Sequence, residues 1–199
     1  TKKDFNVFSK VNFQLTSNLN LFGDLQYRHI NYAIEGFHDD LRDLTMQKEY
    51  GFLNPKIGAY FDINQDQSVY AMYAISNREP SRSVFRDADE DDDPQAERLF
   101  DYELGYRFQS TKFMANVNLY YMDYDNQLVL TGEINDVGAA ILKNIPESYR
   151  RGFELVAGAK VTKKLEVNAN LTLSQNKVIG FTEYVDDWTN GGQVSRDLG

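Results

Sequence analysis

The sequence predicts an all-β fold, an antiparallel up-and-down sheet of about eight strands that forms a segment of a transmembrane β-barrel. First, apolar and polar residues alternate over about eight stretches, and the sequence contains no helical stripe of comparable length. Second, the connections between these stretches are alternately short and long. Third, several stretches run to about ten to fifteen residues, whereas globular strands average ~5–6 residues and ~9–11 cross a bilayer.

The alternation gives each predicted strand one apolar face. In chain order, the strands are predicted at 5–16, 19–35, 50–63, 68–78, 100–108, 112 to about 126, 149–161 and 165–177. Their apolar rows are, in the same order, Phe5, Val7, Val11, Phe13 and Leu15; Leu19, Leu21, Gly23, Leu25 and Tyr27; Ile57, Ala59, Phe61 and Ile63; Val69, Ala71, Tyr73 and Ile75; Phe100, Tyr102, Leu104, Tyr106 and Phe108; Phe113, Ala115, Val117, Leu119 and Tyr121; Phe153, Leu155, Ala157, Ala159 and Val161; and Leu165, Val167, Ala169, Leu171 and Leu173. The opposite rows carry amides and charges, which is typical of strands whose two faces meet different environments.

The connections fall into two classes. The short ones are 17–18, 64–67, 110–112 and 162–164, and the long ones are 36–49, 79–98, about 127–147 and 179–192. In an up-and-down sheet, this alternation puts every short turn at one end and every long loop at the other. Soluble sandwiches usually mix connection lengths, whereas outer-membrane barrels have tight periplasmic turns and long outer loops.

We expect the apolar rows to face lipid and the amide rows, such as Asn116 and Asn118, to line water. Tyr120, Tyr121 and Tyr124 are expected at the membrane interface, where barrels carry aromatic girdles. A soluble antiparallel sheet with one buried face has the same period, so the pattern alone leaves that alternative open. Such a sheet would need a second layer of protein over its apolar rows.

Composition excludes several functions. The chain has 199 residues and a formal charge of −9, which argues against nucleic acid as a partner. It has no cysteine and only two histidines, so thiolate chemistry is excluded and little imidazole remains for a metal centre. Residues 1–8 lack the apolar segment of a signal peptide, so an exported protein would contain this chain as an internal or processed piece.

The stretch 76–108 carries a recognisable combination of motifs. "NREPSR" and "DPQAERLFDYELGYRF" resemble two segments of the barrel of TonB-dependent outer-membrane receptors. The residues at motif positions are Arg78, Pro80, Ser81, Pro94, Glu97, Tyr102, Glu103, Leu104, Gly105 and Tyr106. Residues 118–138, followed by Asn144, Gly152 and Glu154, are similar to the receptors of Bacteroidetes in particular.

The resemblance implies a barrel of about 22 strands closed by a plug. Residues 1–199 would then be a partial barrel domain from the second half of such a barrel, without the plug or the TonB box. The implied location is the outer membrane of a Gram-negative bacterium. The implied partners are outer-membrane lipid, the plug and remaining strands of the same protein, the TonB complex and a small-molecule nutrient. An iron–siderophore is the first expectation for that nutrient, and cobalamin or a glycan is also possible in this family.

Candidate ligand contacts lie in the predicted outer loops, and they are His38, Asp39, Asp40, Arg82, Arg86, Asp91, Asp92 and Trp188. The acidic run 87–93 does not fit a calcium loop, because the sixth position is not Gly and the twelfth is Arg98. We expect it to be a solvated, mobile loop, because like charges repel. Asp101, Glu103, Glu154 and Glu166 share the lumen-facing phase with Arg107, Arg150 and Lys160, which favours ion pairing. No catalytic set, metal centre or cofactor is predicted.

Two alternatives to a transporter remain at this point. Eight strands can close into a small self-contained barrel with a filled lumen, which would suit a structural or adhesion protein. A soluble β-domain that binds carbohydrate would bury the apolar rows against each other. An enzyme is disfavoured, because neither histidine stands in a recognisable motif with a nucleophile.

Overall fold

The computed structural model describes residues 1–37, 41–89, 91–135 and 137–198. The strands are β1 (Lys2–Gln14), β2 (Leu19–Ile34), β3 (Met46–Asn64), β4 (Gln67–Arg78), β5 (Glu97–Gln109), β6 (Phe113–Ile134), β7 (Ala140–Thr162), β8 (Leu165–Ile179), β9 (Thr182–Asp186) and β10 (Gln193–Asp197), with one short helix, α1 (Arg82–Asp87), between β4 and β5. Within the described residues, no helix is long and apolar enough to cross a membrane.

The first eight strands form one sheet in chain order, and each neighbouring pair is antiparallel. The predicted up-and-down topology is therefore confirmed. β1 and β8 lie at the two edges, so the sheet is not closed into a barrel. A self-contained eight-stranded barrel would require these two edges to pair, and this is not the observed arrangement. β9 and β10 form a separate two-stranded hairpin.

Cross-strand register joins the apolar rows into one continuous band. Leu104 lies opposite Leu119, Leu119 opposite Phe153, and Phe153 opposite Leu173. Because opposite residues in an antiparallel pair share a face, the band crosses β5 to β8 without interruption. The same register continues the band through the other strands to β1.

Within the described residues, the apolar band is not covered by a second layer of protein. Phe113, Val167 and Leu171 are 56%, 50% and 47% exposed, and Val117 is partly exposed. A soluble sheet would bury these side chains at a gain of roughly 1.5–3 kcal/mol each, so their exposure contradicts a soluble domain built on these rows. The band is the surface that a membrane-spanning barrel presents to acyl chains.

A row of tyrosines borders the apolar band on the side of the long loops. Tyr73 and Tyr102 have ring centroids 4.8 Å apart, Tyr102 and Tyr121 6.3 Å, and Tyr121 and Tyr149 5.8 Å. This row matches the aromatic girdle of outer-membrane barrels and marks the outer interface. Tyr121 thus lies on the apolar face within this row, as a girdle residue would.

The expectation for Tyr120 and Tyr124 was wrong, because both residues lie on the inner face. Tyr120 is paired directly with Gly152, and Tyr124 lies 5.2 Å from the Arg150 guanidinium, also an inner-face group. Their phase along the strand is opposite to that of Phe113 and Tyr121. In a strand the phase decides the face, whatever the side chain.

Two connections differ from the prediction. The stretch 127–147 is not a long loop, because β6 and β7 continue as a paired hairpin as far as Ile134 and Ala140. The stretch 179–192 is not a plain loop either, because it contains β9. β-Branched residues on both arms, with Asn135 closing the turn by accepting from the Val137 and Ala139 amides, explain the longer hairpin.

Candidate functional site

The segment 79–96, here called the strap, leaves β4 and folds inward over the inner face of the sheet. Pro80 is fully buried at its start, and Phe85 of α1 is buried against the outer ends of β2 and β3. The cluster that receives Phe85 consists of Ile30, Tyr32, Ile34 and Phe52, with Leu44, Met46, Tyr50 and Ala96 packed around it. This cluster is a compact apolar core of the described chain, and it positions the strap at the outer mouth.

The sequence of α1 suits this docking. Val84 and Phe85 of the helix are buried, and so is Ala88 directly after its last residue. The helix ends at Asp87, where the backbone turns extended at Ala88. The six-residue helix is too short to be stable alone, so packing on the sheet maintains it.

An ion network fastens the start of the strap. Glu79 accepts from Lys2 at 2.6 Å and from Arg28 at 2.9 Å, and Arg28 also pairs with Asp4 at 2.5 Å. Burial acts to raise the pKa of Glu79, but the hydrogen bonds from Lys2 and its own backbone, with the charge of Arg28, outweigh burial and lower that pKa. Glu79 is therefore held as a carboxylate that ties the strap to β1 and β2.

The end of the strap is fastened by residues of the sequence motifs. Arg78 forms an ion pair with Glu97, whose other oxygen accepts from the Leu128 amide at 2.7 Å. Asn144 accepts from the Gln95 amide at 2.7 Å and donates back to the Gln95 carbonyl at 3.0 Å. These contacts join the strap to the hairpin formed by β6 and β7.

The remaining motif residues are distributed over both faces of β5 and over the strap. Pro94 is buried like Pro80, whereas Tyr102 and Leu104 lie on the outward, apolar face. Glu103 and Gly105 lie on the inner face. The motif positions therefore do not form one site.

The acidic run is more structured than expected. Asp87 is only 8% exposed and pairs with Arg86 at 2.6 Å, so the expectation of a fully solvated loop was wrong there. Asp89 lies 3.5 Å from Lys143, and Asp93 lies 2.5 Å from Lys48. Asp91 is exposed, as predicted, and Glu90 lies outside the described residues.

Two concave surfaces open beside α1. The first, here called the acidic cleft, has a volume of about 650 Å³ and is lined by Leu41, Arg42, Asp43, Leu44, Thr45, Met46, Phe85, Ala88, Asp89, Asp92, Asp93, Pro94 and Asn135. A hydrogen bond from Thr45 lowers the pKa of Asp43 and keeps it ionised. Among the described residues, no group of three or more His, Cys, Asp or Glu side chains is arranged to hold a metal ion.

The second surface, here called the mouth pocket, has a volume of about 560 Å³. Its lining comes from the loop between β2 and β3, from α1 and from the tip of the β6–β7 hairpin, and consists of Phe37, Leu44, Arg82, Arg86, Asp87, Val137, Gly138 and Ala139. Two predicted candidates, Arg82 and Arg86, therefore meet here, whereas Asp92 belongs to the acidic cleft. The sequence did not indicate Phe37 or Val137, whose only local signal is an apolar side chain in a polar loop.

Residues 1–197 match the family described as TonB dependent receptor-like, beta-barrel. The chain belongs to this family. The family assignment agrees with the apolar band, the tyrosine row and the structured outer end described above. No protein with a curated description matches the sequence.

Solved structures of this kind share the fold. The copper transporter OprC is similar with a TM-score of 0.78 and 13% identity, over 89% of this chain and 30% of that chain. The ferric-catecholate import receptor Fiu from E. coli is similar with a TM-score of 0.67 and 17% identity, over 96% of this chain and 30% of that chain. The FrpB iron transporter from Neisseria meningitidis is similar with a TM-score of 0.67 and 20% identity, over 88% of this chain and 25% of that chain. The chain thus spans about 30% or less of the length of each.

In a receptor barrel of this family, the inner face of the sheet is the lumen wall. The Tyr70 hydroxyl donates to Asn118 at 2.9 Å and lies 3.3 Å from a Glu103 oxygen. One oxygen of Asp101 is buried without a hydrogen-bond partner among the described residues. The phase predicted for Asp101 and Glu103 is confirmed by the register, and this wall offers carboxylates to whatever fills the lumen.

Aromatic residues lie over glycines across this wall. Phe22 is paired with Gly58, Tyr70 with Gly105, and Tyr120 with Gly152. A Cβ on the three glycines would come within 2.3, 2.0 and 2.5 Å of the facing aromatic side chain. Glycine is therefore needed at the motif position Gly105 so that Tyr70 can lie flat along the wall.

Trp188 lies apart from both concave surfaces. It is 92% exposed in the turn between β9 and β10, where Asp187 accepts from the Thr189 amide at 2.9 Å. That hairpin docks on β6, since the Gln193 amide donates to the Gly132 carbonyl at 2.9 Å. The predicted candidates His38, Asp39 and Asp40 lie outside the described residues.

Lys143 joins three outer elements that the sequence did not connect. Its amine lies 2.6 Å from Glu133, 3.5 Å from Asp89 of the strap, and 5.7 Å from the ring centre of Tyr184 in β9. Burial acts to lower the pKa of Lys143, but Glu133, Tyr184 and Asp89 outweigh burial and raise it. The strap, the β6–β7 hairpin and the β9–β10 hairpin are thereby held as one outer assembly.

Proposed function

We propose that the chain is part of an outer-membrane, TonB-dependent transporter that binds a scarce nutrient at its outer mouth and imports it through the lumen. The observation that carries this proposal is the continuous apolar band, bordered by the tyrosine row and backed by a polar inner wall, in a chain of the receptor family. The location would be the outer membrane of a Gram-negative bacterium. Its partners would be lipid, the plug and remaining strands of the same protein, the TonB complex and the nutrient.

An iron–siderophore complex is the nutrient class we favour. Structures with the same fold are described as an iron transporter and a ferric-catecholate import receptor, which supports iron, and another is described as a copper transporter. Cobalamin and glycans are the other classes that we infer from the family. The described relatives transport or bind their ligands, so we propose a binding function for this chain and no catalysis. The resemblance to receptors of Bacteroidetes stays a prediction.

The outer surface offers defined positions for ligand contact. We propose Arg82 and Arg86 in the mouth pocket, Asp92 in the acidic cleft with the exposed Asp91 before it, and Trp188 on the β9–β10 hairpin as contacts. His38, Asp39 and Asp40 stay predictions, since they lie outside the described residues. On the inner wall, the carboxylates near Tyr70 would meet the plug.

Uptake by whole cells tests the proposal. Cells that produce the full-length receptor are given radiolabelled iron as a series of siderophore complexes, with labelled cobalamin and oligosaccharides in parallel. We expect accumulation of one of these ligands that disappears when either the receptor or TonB is deleted. A receptor that reaches the outer membrane, as judged by cell fractionation, and supports no TonB-dependent uptake of any of them would contradict the proposal.

A further inference from the structure

We propose that the mouth pocket binds the anionic end of an organic ligand whose body is aromatic or apolar, with Arg82 pairing with the anion and Phe37 contacting the body. This inference rests on the proposed function and names the chemistry of its ligand. The anionic groups that a guanidinium binds best are carboxylates and phenolates of the catecholate kind, because two parallel hydrogen bonds can form.

The pocket has the dimensions and the construction of a ligand site. Its volume of about 560 Å³ lies within the ~300–1,000 Å³ of small-molecule sites. Three segments that are distant in sequence form the pocket, and contacts outside the pocket hold each of them in place. α1 is held by the buried Phe85, the hairpin tip by Asn135, and the loop that carries Phe37 by the hydrogen bond from the Leu44 amide to the Gly36 carbonyl at 2.8 Å.

Among the described residues that line the mouth pocket, the charge available to a ligand is positive. Arg86 and Asp87 form a two-point ion pair, with nitrogen–oxygen distances of 2.6 and 2.8 Å, so they largely neutralise each other. Arg82 is exposed, and within the described part of the chain no carboxylate forms an ion pair with it. An incoming anion would therefore meet a guanidinium that no described carboxylate occupies.

Apolar surface beside that guanidinium is left open. Phe37 is 71% exposed and Val137 is 47% exposed, although both line a concave surface. Exposed aromatic and aliphatic groups that converge with one polar group are typical of a site whose occupant covers them. The side of the ligand that faces Phe37 is thus expected to be a ring or an aliphatic chain.

The neighbouring acidic cleft favours the same orientation. It shares Leu44 with the mouth pocket but is lined by Asp43, Asp89, Asp92 and Asp93. Lys48 pairs with Asp93, and Lys143 pairs with Asp89. The Arg42 guanidinium donates to the Arg86 carbonyl at 2.9 Å. Carboxylates repel an anion, so the negative end of a ligand is directed away from the acidic cleft and towards Arg82.

The test uses two ferric complexes of similar size and different charge. Full-length receptor in detergent is titrated calorimetrically with the anionic ferric complex of a tricatecholate and with the neutral ferric complex of a cyclic trihydroxamate. We expect wild-type receptor to prefer the anionic complex. Arg82→Gln should weaken binding of that complex by about tenfold or more and leave the neutral complex within about twofold.

Further variants separate a ligand contact from a folding defect. Arg82→Lys keeps the charge and should retain part of the affinity, and Phe37→Ala should weaken both complexes. Arg196→Gln removes an exposed arginine of β10 outside the pocket, and it should change neither affinity. An Arg82→Gln receptor that binds the anionic complex as wild type does, or loss of both complexes equally in Arg82→Gln and Arg196→Gln, overturns the inference.

The outcomes also separate this inference from the proposed function. If cells import a neutral ligand in a TonB-dependent manner and Arg82 has no effect, the receptor is a transporter but its mouth pocket is not an anion site. If neither ferric complex binds to wild-type receptor, the anionic class assigned to the pocket is wrong.

Discussion

Replacing Gly105 with alanine tests the packing of the lumen wall. The added Cβ would stand 2.0 Å from the ring of Tyr70, whereas ordinary contact begins near 3.4 Å, so the ring has to retreat by about 1.4 Å. A retreat of that size corresponds to a rotation of roughly 20°, which costs about 0.5–1 kcal/mol in an off-rotamer side chain. The same movement pulls the Tyr70 hydroxyl away from Asn118, now 2.9 Å distant, and loses about 0.5–1.5 kcal/mol more.

We therefore expect Gly105→Ala to lower the free energy of unfolding by about 1–2.5 kcal/mol. The measurement is denaturant unfolding of the full-length receptor in lipid vesicles, followed by circular dichroism. The matched control is Gly23→Ala on β2, where the nearest atom to an added Cβ is the Lys56 carbonyl oxygen at 4.0 Å. Alanine there should be neutral or stabilising by up to about 1 kcal/mol, because glycine is unfavourable within strands.

A double variant decides whether the ring is the cause. In a Tyr70→Ala background the collision is absent, so the further change Gly105→Ala should cost nothing measurable. Residues in direct contact show such non-additivity, and independent sites do not. If Gly105→Ala is tolerated as well as Gly23→Ala, or carries the same penalty without the Tyr70 ring, the packing argument is refuted.

Two further predictions concern the strap. Phe85→Ala removes a buried ring worth about 3–5 kcal/mol, so amide hydrogen exchange in 82–96 should accelerate by at least about a hundredfold, whereas Phe85→Leu should accelerate it far less. The pKa of Glu79 is lowered in the folded protein, so its ionised carboxylate stabilises the fold. This stabilisation is complete above about pH 4.3, the pKa of an unfolded glutamate, and is lost as the pH falls through the lower pKa of the folded state. Proteolysis of the strap should then rise below about pH 4 in wild type and show no such rise in Glu79→Gln; an acid-insensitive wild type would contradict this role of Glu79.

The sheet could be predicted from sequence because two solvents impose its pattern. Lipid on one side and water on the other require alternation at every position of a spanning strand, and the eight strands follow it closely. Where the strands extend beyond the tyrosine row this requirement ends. The run "LVL" at 128–130 breaks the alternation, and the prediction consequently ended β6 too early, although the strand continues to Ile134.

The mouth pocket could not be predicted in the same way. Its lining residues come from 37–44, 82–87 and 137–139, and no local pattern relates these three segments. Arg82 and Arg86 were recognised only as charged residues of an outer loop. Their juxtaposition with Phe37 depends on the docking of α1, which depends in turn on the apolar cluster around Ile30 and Phe52.

The positions of the motif residues bear on where specificity resides. Arg78, Glu97 and Asn144 fasten the strap, Gly105 admits the ring of Tyr70, and Leu104 faces outward. None of these five lines the mouth pocket. The residues by which the family is recognised thus build the frame at the outer end of the sheet, and the frame would be the same for different ligands. Discrimination between ligands then falls to the side chains that the frame displays, among which the exposed Phe37 and Arg82 are held in place by the strap and the loop behind them.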